Sequence, residues 1–259
     1  MKTQPDFRPL GCAECAHGAD LGFDFTMAFQ PIVNTTTQKI FAHEALVRGM
    51  NNESAGQVFE QVNDTNRYRF DQSCRTKAIK LAAELSMESL LSINFMPNAV
   101  YRPELCIRTT LAAAETYGFP IERIIFEITE SEKVDDLVHL REIVEYYHAR
   151  GFKTAIDDFG AGYAGLNLLA EIHTDLIKLD MALIRNIDSR KKSQIIVKAV
   201  LQVCAELGTT VIAEGVETYE ELAVLKDLGI ELFQGFYFSK PVFQGLATLN
   251  PSAFAPSIH

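Results

Sequence analysis

Eight polar side chains stand at the ends of otherwise apolar, β-like runs: Glu44, Asn94, Glu127, the adjacent Asp157 and Asp158, Lys178, Glu214 and Gln234. Five of them are carboxylates. Brought together, carboxylates repel one another, and burial disfavours their charged form. Two remedies exist: some take up protons, or cations fill the space between them. Carboxylate and amide oxygens suit hard ions such as Mg2+ or Mn2+. Asp157 and Asp158 would serve two ions, one of the pair bridging both, and two ions about 4 Å apart form a clamp for in-line displacement at phosphorus. Any one acidic residue at a strand end is more simply a helix N-cap or a solvated loop group. Asp157-Asp158, ahead of the glycine-rich FGAGYAG, reads by itself as a cap and turn. Polar groups at seven strand ends in succession outrun that explanation.

The elements that must position these residues follow from periodicity. Strands are predicted near 25–33, 39–47, 91–96, 123–128, 153–157, 175–179, 209–213 and 231–235. Amphipathic helices are predicted near 55–64, 68–86, 104–117, 135–150, 162–171, 189–207 and 217–228. Gly118, Gly151, Gly208 and Gly229 fall just past four of the helices, where a left-handed residue ends a helix. Strands alternating with helices imply a closed α/β barrel of the TIM-like (β/α)8 kind, in which the strand ends converge on one mouth. Only NTTTQ separates the first two strands, too little for a crossover helix, so they pair as a hairpin and one barrel strand runs antiparallel. An open doubly wound sheet is the rival, but no glycine-rich dinucleotide fingerprint follows the early strands.

Composition agrees. The chain has 259 residues, 47% of them hydrophobic, which suits one large domain. Residues 1–22 read as an irregular segment, 23–250 as the barrel and 251–259 as a tail. Acidic residues outnumber basic ones 34 to 24, for a net charge of −10, which excludes the positive field of a protein that grips duplex DNA or RNA. An anionic phosphate would then be attracted by metals rather than by net charge. No apolar run reaches the roughly 18 residues of a membrane span, and MKTQPDFRPLGC lacks an apolar signal core, so a cytoplasmic protein without membrane contact is expected. The five cysteines, at 12, 15, 74, 106 and 204, fit reduced thiols better than a disulfide framework.

An ordered set of motifs carries a family resemblance: QPI at 30–32, HEALVRG at 43–49, INFMP at 93–97, FEITES at 126–131, DDFGAGY at 157–163, IKLD at 177–180, AEGVET at 213–218 and QGFYFSKP at 234–241. Over about residues 23–245 the chain resembles the EAL family of cyclic di-GMP phosphodiesterases, barrels with one antiparallel strand. The resemblance implies that Glu44, Asn94, Glu127 and Asp157 hold one divalent cation. Asp157, Asp158 and Glu214 would hold a second, directly or through water. Lys178 would hold and polarise the attacking water, with Glu214 as base or ligand. Gln30, Leu46, Arg48 and Gln234 resemble substrate contacts, Arg48 to a phosphate and Gln30 to a guanine edge. Glu130, Asp180 and Glu217 resemble residues that orient ligands or steady loops. The family implies two Mg2+ or Mn2+ ions, linear pGpG as product and a homodimer. The blander readings are a surface salt bridge for Arg48 and a polar turn residue before Pro31 for Gln30.

The chain departs from the family where DFGTGYSSL is usual: here DFGAGYAGL loses hydroxyl groups and gains a glycine, which weakens local hydrogen bonding. Cys12-x-x-Cys15 with nearby His17 could begin a metal or redox site, but no second pair follows at zinc-site spacing, and an incidental segment is the simpler reading. Phe25, Phe29 and Phe126 read as core, His139 and His148 as a solvated helix face, and Asp188–Lys192 as a helix start. Against hydrolysis stands a non-catalytic EAL protein that senses cyclic di-GMP or binds a protein partner. Such proteins lose metal ligands or the lysine, whereas this chain keeps them all.

Overall fold

The computed structural model describes residues 21–100, 102–129, 136–161 and 165–254. Eight strands close into a barrel: β1 (Thr26–Asn34), β2 (Lys39–Arg48), β3 (Leu90–Phe95), β4 (Ile124–Thr129), β5 (Lys153–Phe159), β6 (Leu176–Leu179), β7 (Thr210–Ala213) and β8 (Leu232–Gln234). Strands β2 to β8 run parallel in sequence order. Strand β1 closes the ring, antiparallel to β2 on one side and to β8 on the other. The predicted hairpin and reversed strand are therefore present. A short strand, β9 (Val242–Phe243), also pairs with β1, at Ala28 and Phe29, and was too short to register in the sequence pattern.

Helices α1 (Ala55–Phe59), α2 (Arg67–Glu84), α3 (Pro103–Tyr117), α4 (Leu137–Ala149), α5 (Gly165–Glu171), α6 (Met181–Ile184), α7 (Lys191–Leu207) and α8 (Tyr219–Asp227) connect the strands. Local chemistry sets their ends. Ser54 with Gln57 and Thr218 with Glu221 form capping boxes, and Asp136 caps α4. Gly118 and Gly208 end α3 and α7 with φ of 68° and 73°, as expected. The first helix is shorter than predicted, because the Asn66 side chain organises residues 61–66 into a turn that accepts from Asn63 N–H and donates to Gln61 O. Helix α6 was not predicted; four residues show no periodicity.

Side chains alternate across the barrel wall. An apolar floor inside the barrel comprises Ile32, Ala42, Ile125, Ala155, Leu176, Ile212 and Leu232. The larger core, between strands and helices, holds Phe25, Phe29, Phe126 and Ile156 among others. Two steps of chain lift each floor residue to the next inward layer. From the floor of β2, β4, β5, β6, β7 and β8 those steps reach Glu44, Glu127, Asp157, Lys178, Glu214 and Gln234. In reversed β1 the step runs backward, from Ile32 to Gln30.

His139 and His148 do not form a solvated face. Both are half-buried: His139 Nε2 lies 2.5 Å from Val100 O, and His148 Nε2 lies 2.9 Å from Asp175 Oδ2 and 2.7 Å from Thr154 Oγ1. Helix α4 meets neighbouring loops there, which period alone does not reveal. Cys74, Cys106 and Cys204 are buried thiols outside any disulfide. Among the described residues no helix is long and apolar enough to cross a membrane.

Candidate active site

The layer above the floor converges on Lys178, which is 1% exposed at the end of β6. Its Nζ lies 3.3 Å from Glu44, 3.1 Å from Glu127 and 3.0 Å from Asp157, and also contacts Glu214. Asn94 Nδ2 donates to Glu44 Oε1 (2.8 Å), and Gln234 Nε2 donates to Glu44 Oε2 (2.6 Å) and Gln30 Oε1 (3.4 Å). Gln30 in turn donates to Ser239 O (3.2 Å). Ser92, not singled out from the sequence, donates to Glu127 Oε1 at 2.5 Å. It lies two positions before Asn94 on the same inward face, so strand alternation was the signal that could have found it.

Asp157 and Asp158 are neighbours, and alternation would send them to opposite faces. The β5–β6 register breaks between Ile156 and Phe159, and Asp158 adopts φ of 54°. This bulge brings both carboxylates to the mouth, in a left-handed conformation that a short polar residue tolerates.

Charge in the mouth is unbalanced. Among the described residues, four carboxylates pair with the Lys178 ammonium and a fifth, Asp158, adjoins Asp157. Burial, reinforced by Glu44 and Asp157, holds the Glu127 carboxyl well above its usual range despite Lys178. Burial, Asp157 and Glu44 do the same to Glu214. Burial and the charges of Asp157 and Asp180 push Asp158 up to about 6. Glu44 goes the other way: Lys178, Gln234 and Asn94 outweigh its burial and lower its pKa. Burial opposes the Lys178 charge, but the surrounding carboxylates prevail and raise its pKa well above normal. The cluster thus draws in protons wherever cations do not compensate it.

Two ligand sets fit divalent ions. Oxygens of Glu44, Glu127 and Asp157 lie within 4.8 Å of one another, as do those of Asp157, Asp158 and Glu214, so Asp157 is common to both. Asn94 Oδ1, beside the first set, is buried without a hydrogen-bond partner. An orphaned amide oxygen next to three carboxylates suits a hard cation.

The mouth opens into a cleft of about 330 Å³, lined also by Met181, Gly215, Glu217 and Phe236. Phe236 is exposed, with Lys240 Nζ 5.4 Å from its ring centroid. Leu46 lines an adjoining apolar cavity of about 480 Å³ together with Met96, Phe59 and Asn94. Arg48, just beyond, donates to Val47 O (2.7 Å). Asp180 caps α6 by accepting from Ala182 N–H (2.7 Å), and Glu217 pairs with Arg185. Glu130, Cys12, Cys15 and His17 lie outside the described residues.

A parallel-stranded barrel with one reversed strand and a carboxylate-lined mouth built around one lysine defines a class of metal-site barrels. Within it the chain belongs to the EAL domain family, whose model matches residues 21–241. It is similar to a crystal structure of a standalone versatile EAL protein from Vibrio cholerae O395 in a c-di-GMP bound form, with 58% identity and a TM-score of 0.89, covering 92% of this chain and all of that one. It is 33% identical over 223 residues to the blue light- and temperature-regulated antirepressor BluF of Escherichia coli (strain K12), covering 86% of this chain and 55% of BluF. It is 39% identical over 116 residues to the cyclic di-GMP phosphodiesterase PdeR of the same organism, covering 45% of this chain and 18% of PdeR. The chain thus spans about half or less of these curated relatives.

Proposed function

We propose that this chain hydrolyses cyclic di-GMP to linear pGpG in a reaction that depends on two divalent cations, Mg2+ or Mn2+. The observation that carries this reading is the shared Asp157, which joins two carboxylate sets around the buried ammonium of Lys178. The cyclic dinucleotide named for the Vibrio cholerae neighbour and the activity named for PdeR support the choice of substrate.

Glu44, Asn94, Glu127 and Asp157 would hold one ion, and Asp157, Asp158 and Glu214 the other. When bound, the pair supplies Lewis acidity at the phosphoryl oxygens and lowers the pKa of water. Lys178 orients the attacking water and offsets negative charge as it grows on the phosphoryl group. A P–O bond forms to that water, the bond to the 3′ oxygen breaks, and a proton ends on the departing oxygen. Glu214, in contact with Lys178, would hold its ion and would accept the proton of the water. Arg48 offers a guanidinium fork to a phosphate. Gln30, fixed by Gln234 and Ser239, presents its amide to a guanine edge, and Leu46 provides apolar contact. Asp180 and Glu217 would steady the loops around the mouth. A homodimer is the expected assembly.

The test is incubation of the pure protein with cyclic di-GMP and Mn2+, with products separated by chromatography. Linear pGpG is the expected product. Tight binding without product would replace this reading with that of a non-catalytic receptor, a reading that the similarity to an antirepressor keeps in view.

A further inference from the structure

Glu214 sits at the head of a loop gripped from two sides. Its N–H donates to Leu179 O (3.1 Å), one residue past Lys178. Gly215 has φ of 67°, and a Cβ there would lie 2.5 Å from the Cβ of Met181 in α6. Across the loop, Val216 N–H donates to Gln234 O, and a Cβ on Gly235 would lie 2.0 Å from Val216 O. The chain from 214 to 217 therefore runs between α6 and β8 with no spare room.

The last residues of the α6 turn close this grip. Arg185 Nη2 donates to Glu217 Oε1 (2.8 Å), and its Nη1 lies 2.8 Å from Glu217 Oε2, a two-point fork. Next to it, Asn186 N–H donates to Glu221 Oε1 (2.9 Å), while Glu221 Oε2 accepts from Glu217 N–H (2.9 Å) and Thr218 N–H (3.2 Å). Glu221 is 1% exposed, so this carboxylate is a fixed anchor. Helix α6 starts at the Asp180 cap, two residues beyond Lys178, and ends on the fork that holds Glu217, three residues beyond Glu214. One short turn of helix thus bridges the strand ends that carry the lysine and the glutamate it contacts.

We propose that Arg185 is a positioning residue: through Glu217 it holds the loop of Glu214 against Lys178. The pair is partly exposed, so it contributes little to global stability. Its effect falls on the cation set of Asp157, Asp158 and Glu214, whose geometry depends on that loop. This rests on the proposed two-cation hydrolysis, and the test separates the two. Mn2+ binding to the full chain is followed by paramagnetic resonance of the free ion, beside kcat and KM for cyclic di-GMP and thermal unfolding. In Arg185→Gln one of the two Mn2+ sites loses about tenfold in affinity while the other keeps its own. kcat falls about tenfold with KM within about twofold, and Tm holds within about 2 °C. The reversed pair R185E/E217R recovers the lost affinity. Unchanged Mn2+ affinities in Arg185→Gln would overturn the proposal. So would equal losses at both sites with a lowered Tm, the mark of a purely structural contact. A wild-type protein that binds two Mn2+ but cuts nothing would refute hydrolysis alone, leaving Mn2+ binding to decide the role of Arg185.

Discussion

Two clusters of buried charge lie back to back across the barrel wall, and they solve the same problem differently. Inside, Lys178 pairs with four carboxylates, and a fifth, Asp158, stands beside Asp157. Outside, between the wall and the helices, Arg75 of α2 is fully buried against one carboxylate, Asp71, at 2.7 Å. Its Nη1 donates to Tyr147 (3.0 Å), and its guanidinium lies 5.4 Å and 5.1 Å from the ring centroids of Phe95 and Phe126. Burial opposes the Arg75 charge, but Asp71 more than offsets it and raises the pKa. Asp71 Oδ1 also accepts from Met96 N–H, so the pair ties α2 to the end of β3. Phe126 and Glu127 are consecutive, one in each cluster. The outer pair balances one charge with one and ties helix to strand; the inner cluster leaves carboxylates uncompensated in two sets that could hold metal ions.

Breaking the outer pair has the largest expected effect. Arg75→Met leaves Asp71 buried and alone, and urea unfolding should show a loss of about 3–5 kcal/mol. Mn2+ affinity in the surviving folded fraction stays near wild type. Next comes Lys178→Ala, which should lower kcat by about 10²–10³-fold while circular dichroism shows an intact fold; near wild-type hydrolysis would remove the lysine from the mechanism. Third, Mn2+ at a hundredfold excess over its Kd should stabilise the wild type by about 2.7 kcal/mol per site, and much of that gain should vanish in Asp157→Asn, which impairs both cation sets. Calorimetry that found equal gains would remove Asp157 from the ligands. The smallest effect tests a carboxylate that is neither sealed nor crowded. Asp175 is half-buried; hydrogen bonds from His148 and Thr154 N–H outweigh burial and lower its pKa. A carboxyl depressed on folding stabilises above its unfolded pKa, and that contribution fades as pH falls through the folded value. Asp175→Ala should cost about 1 kcal/mol at neutral pH. The gap to wild type should close under acid conditions, as urea midpoints across pH will show.

The mouth was legible because each of its groups breaks an apolar run at a strand end, and a barrel has only one place for those ends to go. The eight strands and their order could be read for the same reason. The Asp157-Asp158 bulge could not: the period of two is blind to a register shift that the partner strand imposes. Arg75 was missed on opposite grounds. A charged residue in a helix reads as solvated, and only Tyr147 of α4 and the rings of β3 and β4 make a buried place for it. Helix α6 and the Arg185 fork were hidden by shortness, since four residues carry no period. Long-range partners, rather than local pattern, decide each of these.

The reversed first strand bears on how ligand arrival could be watched. Because β1 descends where its neighbours climb, Thr26 stands opposite Arg48 at the open rim, and Leu21 to Phe25 lead into the wall from that same side. In an all-parallel ring the polypeptide would join the wall from underneath, far from any visitor. A fluorophore attached near this gateway would therefore sit at the rim of the mouth, and its emission would report whether a ligand such as the proposed dinucleotide enters.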